Sequence, residues 1–261
     1  MGIFHGDKEI ASVQHGDTEI GAVYHGDTLI WESGPSLIGG DIQAGYFGTV
    51  AFDDFVVDGY SPPSGEALAS AIGLTAGTAY NQDENCWLQF AWNGGIVMVP
   101  QKPLRYGISW DQIDAEDAVY GGTGAPVVTI NSADYKVRLM RVTAQDPIQP
   151  NTEYTEVLGP SNEWNRLMYP IHENVGGTWA YPENVDEENV NDWGADFTDD
   201  DLLTDSSFGN GSYSWGQEYA GEHYGSPYRV LRGYYGVSDL STYLADNTGS
   251  FDGWRPLLEK L

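Results

Sequence analysis

Long stripes of apolar residues at helical spacing are scarce in this 261-residue chain, whereas glycine (33), tyrosine (17) and tryptophan (9) are abundant. A chain without such stripes has few helix faces to bury against one another. Its core must be built from short strands and ordered loops, with aromatic rings supplying the bulk. The length is sufficient for a sizeable core, and 41% hydrophobic residues set the chain apart from a disordered tail. Its single cysteine, Cys86, closes no intrachain disulfide and leaves no cysteine-based zinc site, so packing has to supply the stability.

Charge narrows the partners. Eleven Lys and Arg stand against 39 Asp and Glu, a formal net charge of −28. Such a surface repels phosphate backbones and anionic lipid, which argues against nucleic-acid binding and membrane-surface partners. It also offers carboxylates to divalent cations and suits a saline or Ca2+-containing medium. No apolar run reaches the length of about 18 residues that spans a bilayer, so no membrane insertion is expected. The opening MGIFHGDKEI has neither a basic n-region nor an apolar h-region, so the expectation is synthesis in a cytoplasm without a signal peptide.

A ten-residue repeat occupies residues 1–32: IFHGDKEIAS, VQHGDTEIGA and VYHGDTLIWE begin at Ile3, Val13 and Val23. In each copy a Gly-Asp pair, ending at Asp7, Asp17 or Asp27, supplies turn chemistry between strand-forming Val and Ile residues. Three strand-turn units follow. A ribbon this small cannot bury its apolar face alone, so residues 1–32 are expected to dock on another protein or on copies of themselves, as in a homotrimer. His5, His15 and His25 recur at one position of the repeat. In a threefold assembly they could form metal-holding rings; the plainer reading is that they flank the turns.

Residues 33–64 read as linker and entry strands, through ESGPSLIGGD and a Pro62-Pro63 turn, and residues 65–261 as the body. Helices are predicted over 65–77, from a Ser109 cap, and over 162–173 with Pro170 ending or kinking it. Strands are predicted at 87–92, 96–100, 127–130 and 135–142, the last two joined as a hairpin across 131–134. The fold class is α+β and β-rich.

No GxSxG, HExxH, Walker loop or dinucleotide fingerprint occurs, so no enzyme is expected; with 39 carboxylates, a glycosidase pair has no diagnostic signal. Within DFTDDDLLTD, Asp199, Asp200 and Asp201 are candidate Ca2+ ligands, although the stretch lacks the glycine and glutamate spacing of an EF-hand. The alternative there is the first turn of a short helix capped by Thr198. Aromatic residues crowd positions 178–243, about half of them expected in the core. Trp193, Trp215, Tyr219 and Tyr224 are the candidate receptor contacts, because rings give large contact area at low entropy cost.

EWNRLMYPIH (163–172), GNGSYSWGQE (209–218), RVLRGYYGVSDLSTY (229–243) and DGWRPLLE (252–259) resemble a recurrent group of bacteriophage virion proteins. The RVLRG and GWRP motifs also resemble the end of the formylglycine-generating-enzyme-like branch of the C-type-lectin fold, which includes the phage major tropism determinants. There the corresponding two strands pair in the core. The repeat ending in LIWE is similar to short β-repeats of phage tail and fibre proteins. Catalysis in the enzyme branch depends on a cysteine pair near the C-terminus that this chain lacks, so the resemblance implies binding or structural use of the fold. It further implies scaffold roles for Arg229, Arg232, Trp254 and Arg255, with each arginine expected to pair with a carboxylate.

The expectation is a virion protein: a tail-fibre or tail-tip adhesin for a host surface glycan or protein, bound to other virion proteins through residues 1–32. A capsid decoration or head-fibre protein, and a soluble Ca2+-dependent lectin, are the alternatives.

Overall fold

Each copy of the decapeptide repeat folds into a two-stranded antiparallel hairpin. β1 (Phe4–His5) pairs with β2 (Lys8–Glu9), β3 (Val13–His15) with β4 (Thr18–Ile20), and β5 (Ala22–His25) with β6 (Thr28–Glu32). His5 faces Lys8, His15 faces Thr18 and His25 faces Thr28 at the ends of these pairs. The computed structural model describes these six strands together with residues 36–52, 65–80, 86–144, 146, 162–173, 193–203, 210–223 and 225–261. Asp7, Asp17, Asp27 and Tyr224 lie outside the described residues. The chain divides into two compact units, Met1–Leu37 and Ile38–Leu261.

The second unit is built on two sheets. One runs β13 (Val127–Ile130), β14 (Ala133–Leu139), β19 (Pro256–Lys260), β11 (Gly95–Pro100), β10 (Cys86–Trp92), β8 (Ala44–Ala51) and β7 (Gly39–Gly40), with every neighbouring pair antiparallel. The other runs β17 (Leu240–Leu244), β16 (Ser226–Gly233), β15 (Tyr213–His223), β18 (Asp252–Trp254), β12 (Arg105–Tyr106) and β9 (Thr78–Ala79). In it only β15 and β18 are parallel. Short helices α1 (Gly65–Ala71), α2 (Trp110–Asp114), α3 (Glu163–Met168) and α4 (Asp199–Leu202) pack around them. The unit is α+β and β-rich, as the sequence predicts. No helix among the described residues is long and apolar enough to cross a membrane.

Alternation along the central strands explains why they read as continuous apolar runs. Trp87, Met98, Leu231 and Leu258 belong to one buried cluster, while their neighbours Leu88, Val97, Val99, Val230 and Leu257 belong to a second. Both faces are therefore covered at these central positions, where a polar side chain would be costly. The first cluster takes in Leu68 and Ile72 of the α1 region and Trp110 and Ile113 of α2; the second takes in Trp164, Leu167 and Met168 of α3.

Local signals set most ends. Ser109 and Gln112 form the reciprocal capping box of α2, and Asn162 caps α3. The predicted helix over 65–77 stops at Ala71, because Gly73 turns left-handed (φ 81°) and Leu74 N–H returns to Ala69 O. The hairpin predicted across 131–134 turns instead on two residues, Asn131 and Ser132, at φ 49° and 63°, with Ile130 facing Ala133. Within 33–64, β7 and β8 are strands of the first sheet, and β8 pairs with β10, so the compact body begins at Ile38 rather than at 65.

The motif strands also differ from expectation. RVLRG lies on β16 and the terminal DGW on β18, and both hydrogen-bond to β15 between them rather than to each other. Among the described residues their arginines form no ion pair with a carboxylate. Arg232, fully buried, donates to the carbonyls of Asp239 (3.0 Å) and Val142 (3.1 Å), to Asn165 Oδ1 (3.1 Å) and to the Tyr169 hydroxyl (2.5 Å). Arg255 donates to the carbonyls of Pro100, Gln101 and Leu202, and burial pulls its pKa down to about 9. Both guanidiniums lie 5.5 Å from the Trp164 ring, whose Nε1–H donates to Val237 O. Carbonyl dipoles and an aromatic face hold these cations, so the expected ion pairs are replaced by neutral partners. Trp254 is fully buried, in keeping with a scaffold role.

Candidate functional site

The register of the second sheet brings two tyrosines and an arginine into one row. Tyr219 on β15 faces Arg229 on β16, and Arg229 faces Tyr243 on β17, the edge strand. Residues directly opposite across antiparallel strands point to the same side, so the three side chains share one face. Tyr243 is 38% exposed, and Tyr219 and Arg229 are half-buried.

Arg229 is held by rings. Its guanidinium carbon sits 3.6 Å from the centroid of Trp110 and 5.2 Å from that of Tyr219, and Nη1 donates to the hydroxyl of Tyr120 at 3.2 Å. Tyr120 is itself 48% exposed and meets Trp110 edge-on at 5.9 Å. Desolvation raises the pKa of Tyr120, opposed by the Arg229 charge, so the phenol stays protonated and able to donate. Burial likewise raises Asp114, against the pull of Arg229. Arg229 was expected to be scaffold paired with a carboxylate. It is instead a cation packed among aromatic rings, with its Nε buried and without a hydrogen bond.

A second aromatic group extends the row. Tyr213 stacks on Tyr234 (4.5 Å, 8° between planes) and meets Tyr243 edge-on at 5.7 Å, while Tyr234 meets Tyr235 and Phe251 edge-on. Tyr234 has φ 116°, a conformation that costs a bulky residue about 1–3 kcal/mol. That strain places one tyrosine of the RGYYG turn in the stack and leaves the next, Tyr235, 38% exposed.

No protein-family model, curated protein or solved structure matches this chain. Its own side chains therefore carry the functional assignment. Rings and a guanidinium at a sheet edge offer broad apolar faces beside hydroxyl donors, the composition of protein contact hot spots and of sugar-gripping surfaces.

Of the three predicted receptor contacts among the described residues, only Tyr219 stands in this row. Trp193 and Trp215 are corrected to core. Trp193, 8% exposed, packs on Phe90 in the second cluster, and any Cβ at Gly39 would collide with it. Trp215, 1% exposed, lies in the first cluster with Nε1–H bonded to Ile108 O at 2.8 Å. Tyr120 and Trp110 were missed because they lie about a hundred residues from Arg229 in sequence, and nothing local couples them.

Asp199, Asp200 and Asp201 do not form a Ca2+ loop; they make the first turn of α4, the alternative weighed for them. Asp201 Oδ2 accepts from the Thr198 N–H (2.8 Å) and hydroxyl (2.7 Å) in a capping box. Asp199 Oδ1 accepts from Val237 N–H at 2.7 Å and lies 3.1 Å from His172 Nε2. Asp199 and Asp201 are thus engaged by the fold. Among the described residues no three His, Cys, Asp or Glu side chains are grouped to hold a metal ion. His5, His15 and His25 lie on β1, β3 and β5, one per hairpin.

Proposed function

We propose that this chain is a bacteriophage virion protein, a tail-fibre or tail-tip adhesin that contacts a host surface receptor through the Tyr219–Arg229–Tyr243 row. The observation that carries this proposal is the row itself: aromatic rings and a half-buried arginine aligned across three strands in a molecule of net charge −28. A cation pre-packed against rings loses little side-chain entropy on binding, and hot spots favour Tyr, Trp and Arg. The body belongs, in this proposal, to the C-type-lectin-like fold. That placement rests on the RVLRG and GWRP sequence motifs and on the β-rich α+β class, and the insertion of β15 between the two motif strands counts against it.

The hairpin unit docks the protein into the particle and trimerises it. Three repeat hairpins too small to stand alone support that role. Competition for adsorption tests the adhesin. Purified chain should reduce attachment of phage particles to host cells, and the Tyr219→Ala/Tyr243→Ala variant should compete roughly tenfold less well with an unchanged melting transition. Wild-type chain that leaves attachment untouched would point instead to a decoration protein.

A further inference from the structure

A cleft of about 420 Å3 lies beside the β10–β11 turn and β19, and it shares no residue with the tyrosine–arginine row. Its volume falls in the range of small-molecule sites, about 300–1,000 Å3. Three of the chain's eleven cations, Arg138, Arg141 and Lys260, line it, together with two carboxylates, Glu163 and Glu259. In a molecule with 39 acidic residues this is a local excess of positive charge.

The two carboxylates are already taken. Arg138, buried, grips Glu163 with two parallel bonds (2.8 and 2.7 Å) and gives Nε–H to Glu259 at 3.0 Å. Glu163 also accepts the Arg141 N–H at 2.8 Å, and Trp164 N–H donates to Arg141 O at 3.0 Å, so the Arg141 backbone is pinned on both sides. Arg141 and Lys260 are exposed, and among the described residues neither side chain forms an ion pair. The five charged side chains of the wall sum to +1 on a fixed frame, with Arg141 and Lys260 outside the Arg138 ion pairs. Next to them, Trp92 contributes a half-buried indole, and Asn93 an exposed amide held at φ 50° in the tight Asn-Gly turn.

We infer that this cleft binds an acidic sugar unit. Arg141 and Lys260 pair with the carboxylate of a uronic acid, Trp92 covers the apolar side of the ring, and Asn93 exchanges hydrogen bonds with its hydroxyls. A bare inorganic anion would use the two cations and leave Trp92 and Asn93 without a role; a neutral sugar would leave the cations unpaired. The site stands whether or not the chain is a virion protein.

Titration calorimetry of the full chain with glucuronate, glucose and inorganic phosphate tests it. Saturable glucuronate binding is expected with a dissociation constant on the order of 1 mM, and binding at least about tenfold weaker for glucose and phosphate. The Arg141→Ala/Lys260→Ala variant should lose the signal while its melting transition is unchanged. Charge reversal at exposed Lys260 alone (Lys260→Glu) should lower affinity if the double variant folds poorly. Absence of glucuronate binding, or binding that both variants retain, overturns the site. Phosphate or glucose binding as tight as glucuronate overturns the acidic-sugar assignment.

Discussion

Apart from the buried Arg138–Glu163 pair, several buried charges in the body sit outside any ion pair among the described residues. Arg232 and Arg255 rest on carbonyls and the Trp164 ring, while three carboxylates are buried without a guanidinium bound to them. Desolvation pushes Glu218 up to about 7, against the hydrogen bond it accepts from Val142 N–H, and likewise raises Asp252 to about 7 and Asp239 to about 6. In the unfolded chain Glu218 ionises near its ordinary value of 4.5. Between that value and about 7 the folded body holds a proton the unfolded chain has released. Its contribution to stability is therefore complete at the acid end and lost as pH rises through this window. Unfolding free energy from urea titrations should fall between about pH 4.5 and about pH 7.5, and Glu218→Gln should remove on the order of 3 kcal/mol of that fall. Equal slopes for the two proteins would show that Glu218 is ionised in the fold throughout. None of this was legible in the sequence, where Glu218 is one of 39 acids and its donor at Val142 comes from a distant segment.

Elements with a local cause were legible, and those fixed by distant contacts were not. Strands β10, β11 and β13 declared themselves through apolar runs between turn residues, and the HGD repeat announced its hairpins. β8 was legible only as part of an entry segment: AGYFGTVA, with two glycines, has no bounds of its own, and its pairing with β10 fixes them. Trp193 was misplaced for the same reason: Gly39 and Gly40, which make room for its indole, lie far upstream. In the row, Tyr219 could be picked out by composition, while its alignment with Arg229 and Tyr243 depends on register irregularities within β15. A comparable close approach occurs where β15 passes the end of β14. A Cβ on Gly216 would overlap the side chain of Val142 and crowd Glu218 Oε2 at 3.0 Å, while Gly216 O accepts the Trp110 Nε1–H. Gly216→Ala should cost at least about 2 kcal/mol in urea denaturation. A cost near zero would mean that these segments have room to part.

At the scale of the molecule, composition foretold a β-rich α+β protein whose core leans on aromatic rings, and the two sheets with their two buried clusters bear that out. The division into a hairpin unit and a body followed from the repeat, with the border moved to Leu37 because β7 and β8 complete the first sheet. The proposed task assigns particle docking to the first unit and receptor contact to the second. Immunogold electron microscopy of particles from a lysate of the producing culture, with antibody raised against residues 38–261, tests that assignment most directly. Gold at the tail end of the particles is the predicted result; gold over the head would contradict the adhesin, and unlabelled particles would contradict a virion protein altogether.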